Sequence, residues 1–210
     1  MNKKTVSITS LVAGILVAIV ALFYVIAGIL VMTNFNANNG AKANWWLAIE
    51  VVLLVGAAAI LGIFSYLTIR NYVRGAEEYQ YGALAAICVL GMEFLMTFIS
   101  MCFWGFGSAK AWVLVVLDIA GIVLILLPMF AKLEKQVGQI LVLIGVGIGF
   151  IVSIVTLTGA SGIGIATDIF MMFMFIAIFL VYVFLMIINQ GGQAEKKDSN
   201  ETEKQASELE

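Results

Sequence analysis

Histidine is absent from this chain of 210 residues, which has one proline, two cysteines and only 11% charged residues. Lacking histidine, it lacks the commonest general base and the commonest metal ligand. Cys88 and Cys102 share one apolar run, about 21 Å apart along a helix, which is beyond disulfide reach. They read as small buried hydrophobes. The charged fraction compares with roughly 25% in an average soluble domain. A net charge of −2 gives no electrostatic case for nucleic acid. These shortages exclude an ordinary cytosolic enzyme, a disordered protein and a disulfide-stapled secreted module.

What is present is apolar: 63% of the residues, with a mean hydropathy of +1.10. A soluble domain cannot hide that much apolar surface, so lipid is the solvent for most of the chain. Apolar runs of about 20 residues cross a bilayer. Six are found, at Thr5–Thr33, Trp45–Ile69, Tyr81–Trp104, Ala111–Ala131, Val137–Thr158 and Ile165–Ile188. The fold class expected is an all-α bundle of six transmembrane helices with short loops, covering residues 1–190. The first run follows Lys3 and Lys4, as a signal peptide would. Its length and the span after it argue for a retained helix.

Basic residues orient the spans. Lys3 and Lys4, Arg70 and Arg74, Lys132 and Lys135, and Lys196 and Lys197 all fall on one side when six spans are counted, with only Lys42 and Lys110 on the other. Both termini are therefore expected in the cytoplasm of a multi-pass cell-membrane protein. Trp45, Trp46, Trp104 and Trp112 mark outer helix ends, and Tyr66, Tyr72, Tyr79 and Tyr81 the inner side, as interfacial belts do. The sharper reading of the tryptophans is a binding mouth on the outer face. The longest outer loop is Asn34 to Asn44. Gly191 and Gly192 are expected to break the last helix, leaving residues 191–210 as a disordered, charged cytoplasmic tail or a frayed polar helix. Its Asn200-Glu201-Thr202 sequon, on that side, goes unmodified.

Two glycine-rich stretches, at Gly105–Lys110 and Gly159–Ile165, imitate phosphate loops. Neither follows a strand, so no nucleotide site is expected. Small residues four apart, Gly82/Ala86, Ala58/Gly62 and Gly145/Gly149, mark helix-packing faces. Pro128 frees the carbonyl of Leu124 and should bend the fourth span. The run Phe170 to Phe175 is adaptable packing material, facing lipid or filling the core.

Four acids, Glu50, Glu93, Asp118 and Asp168, lie within or at the edges of the spans, with no deep lysine or arginine. An acid at mid-bilayer costs about 2.5 to 3.5 kcal/mol, so each needs a reason. Asp168, after Thr167, reads as a cap at the start of the sixth span. Glu50, one turn after Trp46, reads equally as a headgroup contact or a site residue. Glu93 shares a stripe with Gly82, Ala86, Thr97 and Ser100 that should face the bundle interior. Asp118 shares its face with Ala111 and Gly121. Counted from the turn near Phe106, the depths of Glu93 and Asp118 differ by only about 3 Å. Two such acids without a basic partner cannot both be ionised and dry. They share a proton or hold a cation, or else stand as neutral hydrogen-bonded cement between helices.

The function expected is that of a transport-type membrane protein, a carrier or a substrate-binding membrane subunit. Its acidic intramembrane site would take a cation, a proton or a cationic small solute. The candidate site residues are Glu93, Asp118, Glu50, Thr97, Ser100 and Trp46. The other reading is a non-catalytic scaffold subunit of a larger membrane complex. An enzyme is not expected, since no metal-ligand cluster and no paired nucleophile and base is legible. No cofactor is expected, and the partners are the bilayer and, in the second reading, other membrane subunits. In size, span count and inward termini the chain is loosely similar to the substrate-capture subunits of energy-coupling-factor vitamin transporters. That likeness covers topology only and carries over no residues; in a site of that kind Glu50 with the outer tryptophans would suit a cationic ring ligand.

Overall fold

A computed structural model describes residues 3–35, 40–76, 78–131 and 133–207, the stretch 191–207 as backbone alone. Lys132 and the middle of the Asn34–Asn44 loop lie outside the described residues. Six helices make up the fold, and no strand occurs among the described residues. They are α1 (Lys3–Thr33), α2 (Gly40–Arg74), α3 (Gln80–Trp104), α4 (Ala109–Phe130), α5 (Lys135–Leu157) and α6 (Ile163–Ser207). Every one contains a stretch long and apolar enough to cross a membrane. Only 22% to 33% of each most apolar window is buried within the bundle. The remaining apolar surface is stable only against lipid or another apolar partner, because water would leave it unpaid for in hydration free energy. This is a six-helix membrane bundle.

Sequential helices are neighbours, and α6 returns to pack against α1, so the six close into a ring. Within it α3 also touches α1, α5 and α6. One end of the bundle carries the N-terminal end of α1 and the polar end of α6; it is called the terminal end below, and the opposite end distal.

Glycines set the closest approaches. A Cβ on Gly145 of α5 would stand 2.6 Å from Cγ1 of Ile125 and 2.8 Å from the Gly121 carbonyl oxygen of α4. Only hydrogen at these positions lets the two backbones meet. Gly149 is covered by the Phe175 ring of α6, and Gly82 faces Ile178. Two of the three expected small-residue pairs therefore lie at real interfaces. The third does not: Ala58 is buried, but Gly62 is exposed, with nothing within 4 Å of its Cβ position. An interface missing from the sequence reading joins α1 to α2, where the Ser65 hydroxyl donates to the Gly14 carbonyl at 2.7 Å.

Further expectations are corrected. Cys88 is half-buried, its Sγ 3.9 Å from the Ala57 carbonyl oxygen, but Cys102 is exposed. Cys102 stands in the last turn of α3, beyond the packed middle of the helix. Gly40 to Asn44 are helical, so α2 takes up part of the expected outer loop. Gly191 and Gly192 do not break α6, which continues to Ser207. Extending a formed helix needs no new nucleus, and glycine costs only about 1 kcal/mol relative to alanine in a helix rich in Ala, Glu, Lys and Gln. The side chains of that extension, including the Asn200 sequon, Lys196 and Lys197, lie outside the described residues. Pro128 sits in the last turn of α4, where its ring packs against Gly138 of α5.

Candidate functional site

At the distal end a cavity of about 570 Å³ opens between α2, α3 and the start of α4. Trp46, Thr97, Ser100, Trp104 and Ala111 are among its lining residues. Three of the six expected site residues thus meet at one mouth, and the Thr97–Ser100 stripe of α3 faces it. The rim is aromatic. Trp46 packs against Phe103 at 5.8 Å between centroids, and the Lys42 ammonium stands 5.1 Å over the Trp104 ring. The other two tryptophans behave as belt residues. Trp45 is 68% exposed, and Trp112 is exposed with its indole N–H donating to the Phe106 carbonyl at 3.1 Å. Two of the four tryptophans, Trp46 and Trp104, thus line the cavity and the other two do not.

Below this mouth lie the acids. Glu93 is one turn beneath Thr97 on α3, and Asp118 two turns beneath Ala111 on α4, with buried Leu114 and Val115 between. Asp118 has no exposed surface, and neither carboxyl oxygen has a hydrogen-bond partner. Glu93, half-buried, lies within electrostatic reach of Asp168 and of Asp118. The depth matching drawn from the α3–α4 turn is consistent with that proximity.

Two members of the group escaped the sequence reading. Asp168 was expected to cap the sixth helix. Because α6 begins at Ile163, Asp168 stands in its second turn, where the backbone amides are already bonded. It is 7% exposed, lies near the Thr156 hydroxyl of α5, and is in the field of Lys110. The Lys110 ammonium is itself held by the Thr158 hydroxyl at 3.0 Å. Lys110 is exposed at the start of α4, so Asp168, the shallowest of the three, has a basic neighbour at the rim and not deep in the span. The second is Tyr24 of α1, 3% exposed, whose hydroxyl donates to the Met171 sulfur at 3.3 Å. It feels Glu93, Asp168 and Asp118 together. Met171, with Met174 and Phe175, is core, whereas Phe173 is 53% exposed.

Counted from the distal helix ends at about 1.5 Å per residue, Tyr24, Glu93 and Asp118 lie about 14 to 17 Å deep and Asp168 about 8 Å. Four helices thus contribute to one acidic region in the distal half of the interior. Glu50 stands apart from it: its carboxylate takes a hydrogen bond from Trp46, one turn away on α2, and it is not among the charges that act on Glu93. Among the described residues no three Cys, Asp or Glu lie close enough together to hold a metal ion. The spread of the acids suits a proton or an organic cation lying between carboxyls better than a chelated metal.

No family model, no curated protein and no solved structure matches the chain.

Proposed function

We propose that this protein is a membrane carrier, or the substrate-binding subunit of one, that takes a proton or a cationic small solute from the distal mouth into the acidic interior. Asp118 carries the reading. A carboxyl with no exposed surface and both oxygens unpartnered costs about 1 to 3 kcal/mol in lost hydrogen bonding. It is intelligible if a ligand or a proton supplies the missing partner. Glu93 supplies the second charge, Thr97 and Ser100 line the approach, and Trp46 offers a ring face to a cation at the entrance.

Carboxyls that work must ionise during the cycle. Glu93→Gln and Asp118→Asn preserve shape and should abolish uptake in reconstituted vesicles, together with any stabilisation by the transported cation, while the apo protein still folds. Full activity in both amides would mark the acids as neutral cement. A scaffold subunit, the second reading, would instead purify in mild detergent with a stoichiometric companion and show no ligand-dependent melting.

In this reading the terminal end faces the cytoplasm, on the strength of the lysine and arginine asymmetry. A cysteine placed in the tail of a Cys102→Ser background should resist impermeant thiol reagents in intact cells. Ready labelling from outside would reverse the orientation.

A further inference from the structure

Asp118 is walled by hydrocarbon. Leu114 and Val115, both buried, cover it toward the mouth. On the other side Leu90 Cδ1 stands 2.9 Å from the Cβ position of Gly121, one turn along the same face of α4. Among the described residues α4 packs only against α3 and α5. Residues 136–157 of α5 contain no ionisable side chain, and α3 brings Glu93 and Cys88. Tyr24 of α1 and Asp168 of α6 lie across the ring in the same field. Lys110, the one base in α4, does not serve this carboxyl. It stands eight residues from Asp118, about 12 Å toward the distal rim. There Thr158 holds its ammonium at 3.0 Å, and Asp168 is its acidic neighbour.

Charge balance then limits what can enter. A dry carboxylate without a counter-charge costs far more than the neutral acid. Asp118 and Glu93, within electrostatic reach of each other, therefore keep at least one proton between them when no cation is bound. An added positive charge would be as costly to bury as an added negative one. A monovalent cation can enter only as a proton leaves, so that the net charge of the region stays constant. Neither Asp118 oxygen has a donor, so the cation that replaces the proton must bring hydrogens of its own. A primary or secondary ammonium does so, whereas a quaternary one brings charge alone.

We infer that the carrier is an exchanger, in which one protonated amine enters the Asp118–Glu93 region for each proton that leaves it. The ammonium N–H groups bond to the Asp118 carboxylate. The proton lost from the Asp118 O–H passes by Glu93, one turn beneath Thr97, to water at the distal mouth. A region that holds one ion or the other carries the two in opposite directions. The inference rests on the carrier reading, which can stand without it.

The test is isothermal calorimetry on the full chain in neutral detergent, with methylamine or phenethylamine as the probe. Repetition in two buffers of different ionisation enthalpy counts the protons. About one proton should be released per amine bound. Raising the pH removes the competing proton, so binding should tighten, the dissociation constant falling about tenfold per pH unit while the region holds its proton. The trimethylated quaternary analogues should bind at least about tenfold more weakly, for want of the charge-assisted hydrogen bond. Asp118→Asn should neither bind the amine nor release a proton. Amine binding with no proton released and no change with pH would overturn the exchange and leave the carrier reading standing. Proton release that persists in Asp118→Asn would overturn the role of Asp118, and a quaternary analogue bound as tightly as its amine would overturn the choice of ammonium. No binding of any probe would overturn the exchange together with the cationic-solute reading it rests on. Should Asp118→Asn fail to fold, the proton count and the pH slope of the unaltered chain decide alone.

Discussion

The distal and terminal halves of the bundle interior handle buried polarity in opposite ways. In the distal half Asp118 is sealed with both oxygens unpartnered, beside two further acids. In the terminal half Gln139, 8% exposed, is tied through Asn189 to Lys135. Polar groups that only hold helices together look like the second case, because an unsatisfied partner costs more than a neutral hydrogen bond returns. Asp118, with both oxygens unpartnered, carries that cost without a return in stability. That is the pattern of a site kept for something other than stability.

The largest effect expected concerns the seam that both halves share. Gly145 lies midway along α5, against the Gly121 carbonyl. Gly145→Val would push α4 and α5 apart against rigid backbone, at about 3 kcal/mol. Melting followed separately by distal tryptophan fluorescence and by terminal-end labelling should fall together. Two separate transitions would mean that the halves are independent units and the contrast between them incidental.

A pair of substitutions should then move in opposite directions. Leucine has the branched shape of aspartate, so Asp118→Leu should raise stability by about 1 to 3 kcal/mol while removing transport. Gln139→Met leaves the Asn189 amide without its acceptor and should lower stability by about 1 to 2 kcal/mol. Reversible unfolding in mixed micelles measures both. Shifts of the same sign would break the comparison.

The smallest effect belongs to the extension of α6. Truncation after Gly192 should change stability by less than about 0.5 kcal/mol, since Gln193 to Glu210 offers almost nothing apolar to bury. A large loss of melting temperature would show that the extension docks on the terminal end and belongs to that half.

The legible part of the site came from neighbours in sequence. Glu93 and Asp118 flank one short turn, so counting residues from it matched their depths, and the four- and three-residue spacings of Glu93, Thr97 and Ser100 marked the face of α3. Asp168 and Tyr24 come from α6 and α1, which no short loop joins to α3 or α4. Their place depends on closure of the ring and on the rotation of each helix about its axis. Glu50 and Glu93 are alike in sequence, both acids in apolar spans, yet one bonds to Trp46 near the rim and the other faces the acids.

By itself the sequence determined that the chain spans the membrane six times, and within a few residues where, because hydrocarbon thickness and backbone hydrogen bonding leave an apolar run of that length no other form. It also singled out the acids whose place in an apolar span carries a cost. Only the tertiary structure decided which of them meet, and which glycines touch a neighbour and which face outward. Apolar residues cover every side of these helices, so the pattern along the chain carries little information about which side faces in; that is settled by the fit of side chains between helices distant in sequence.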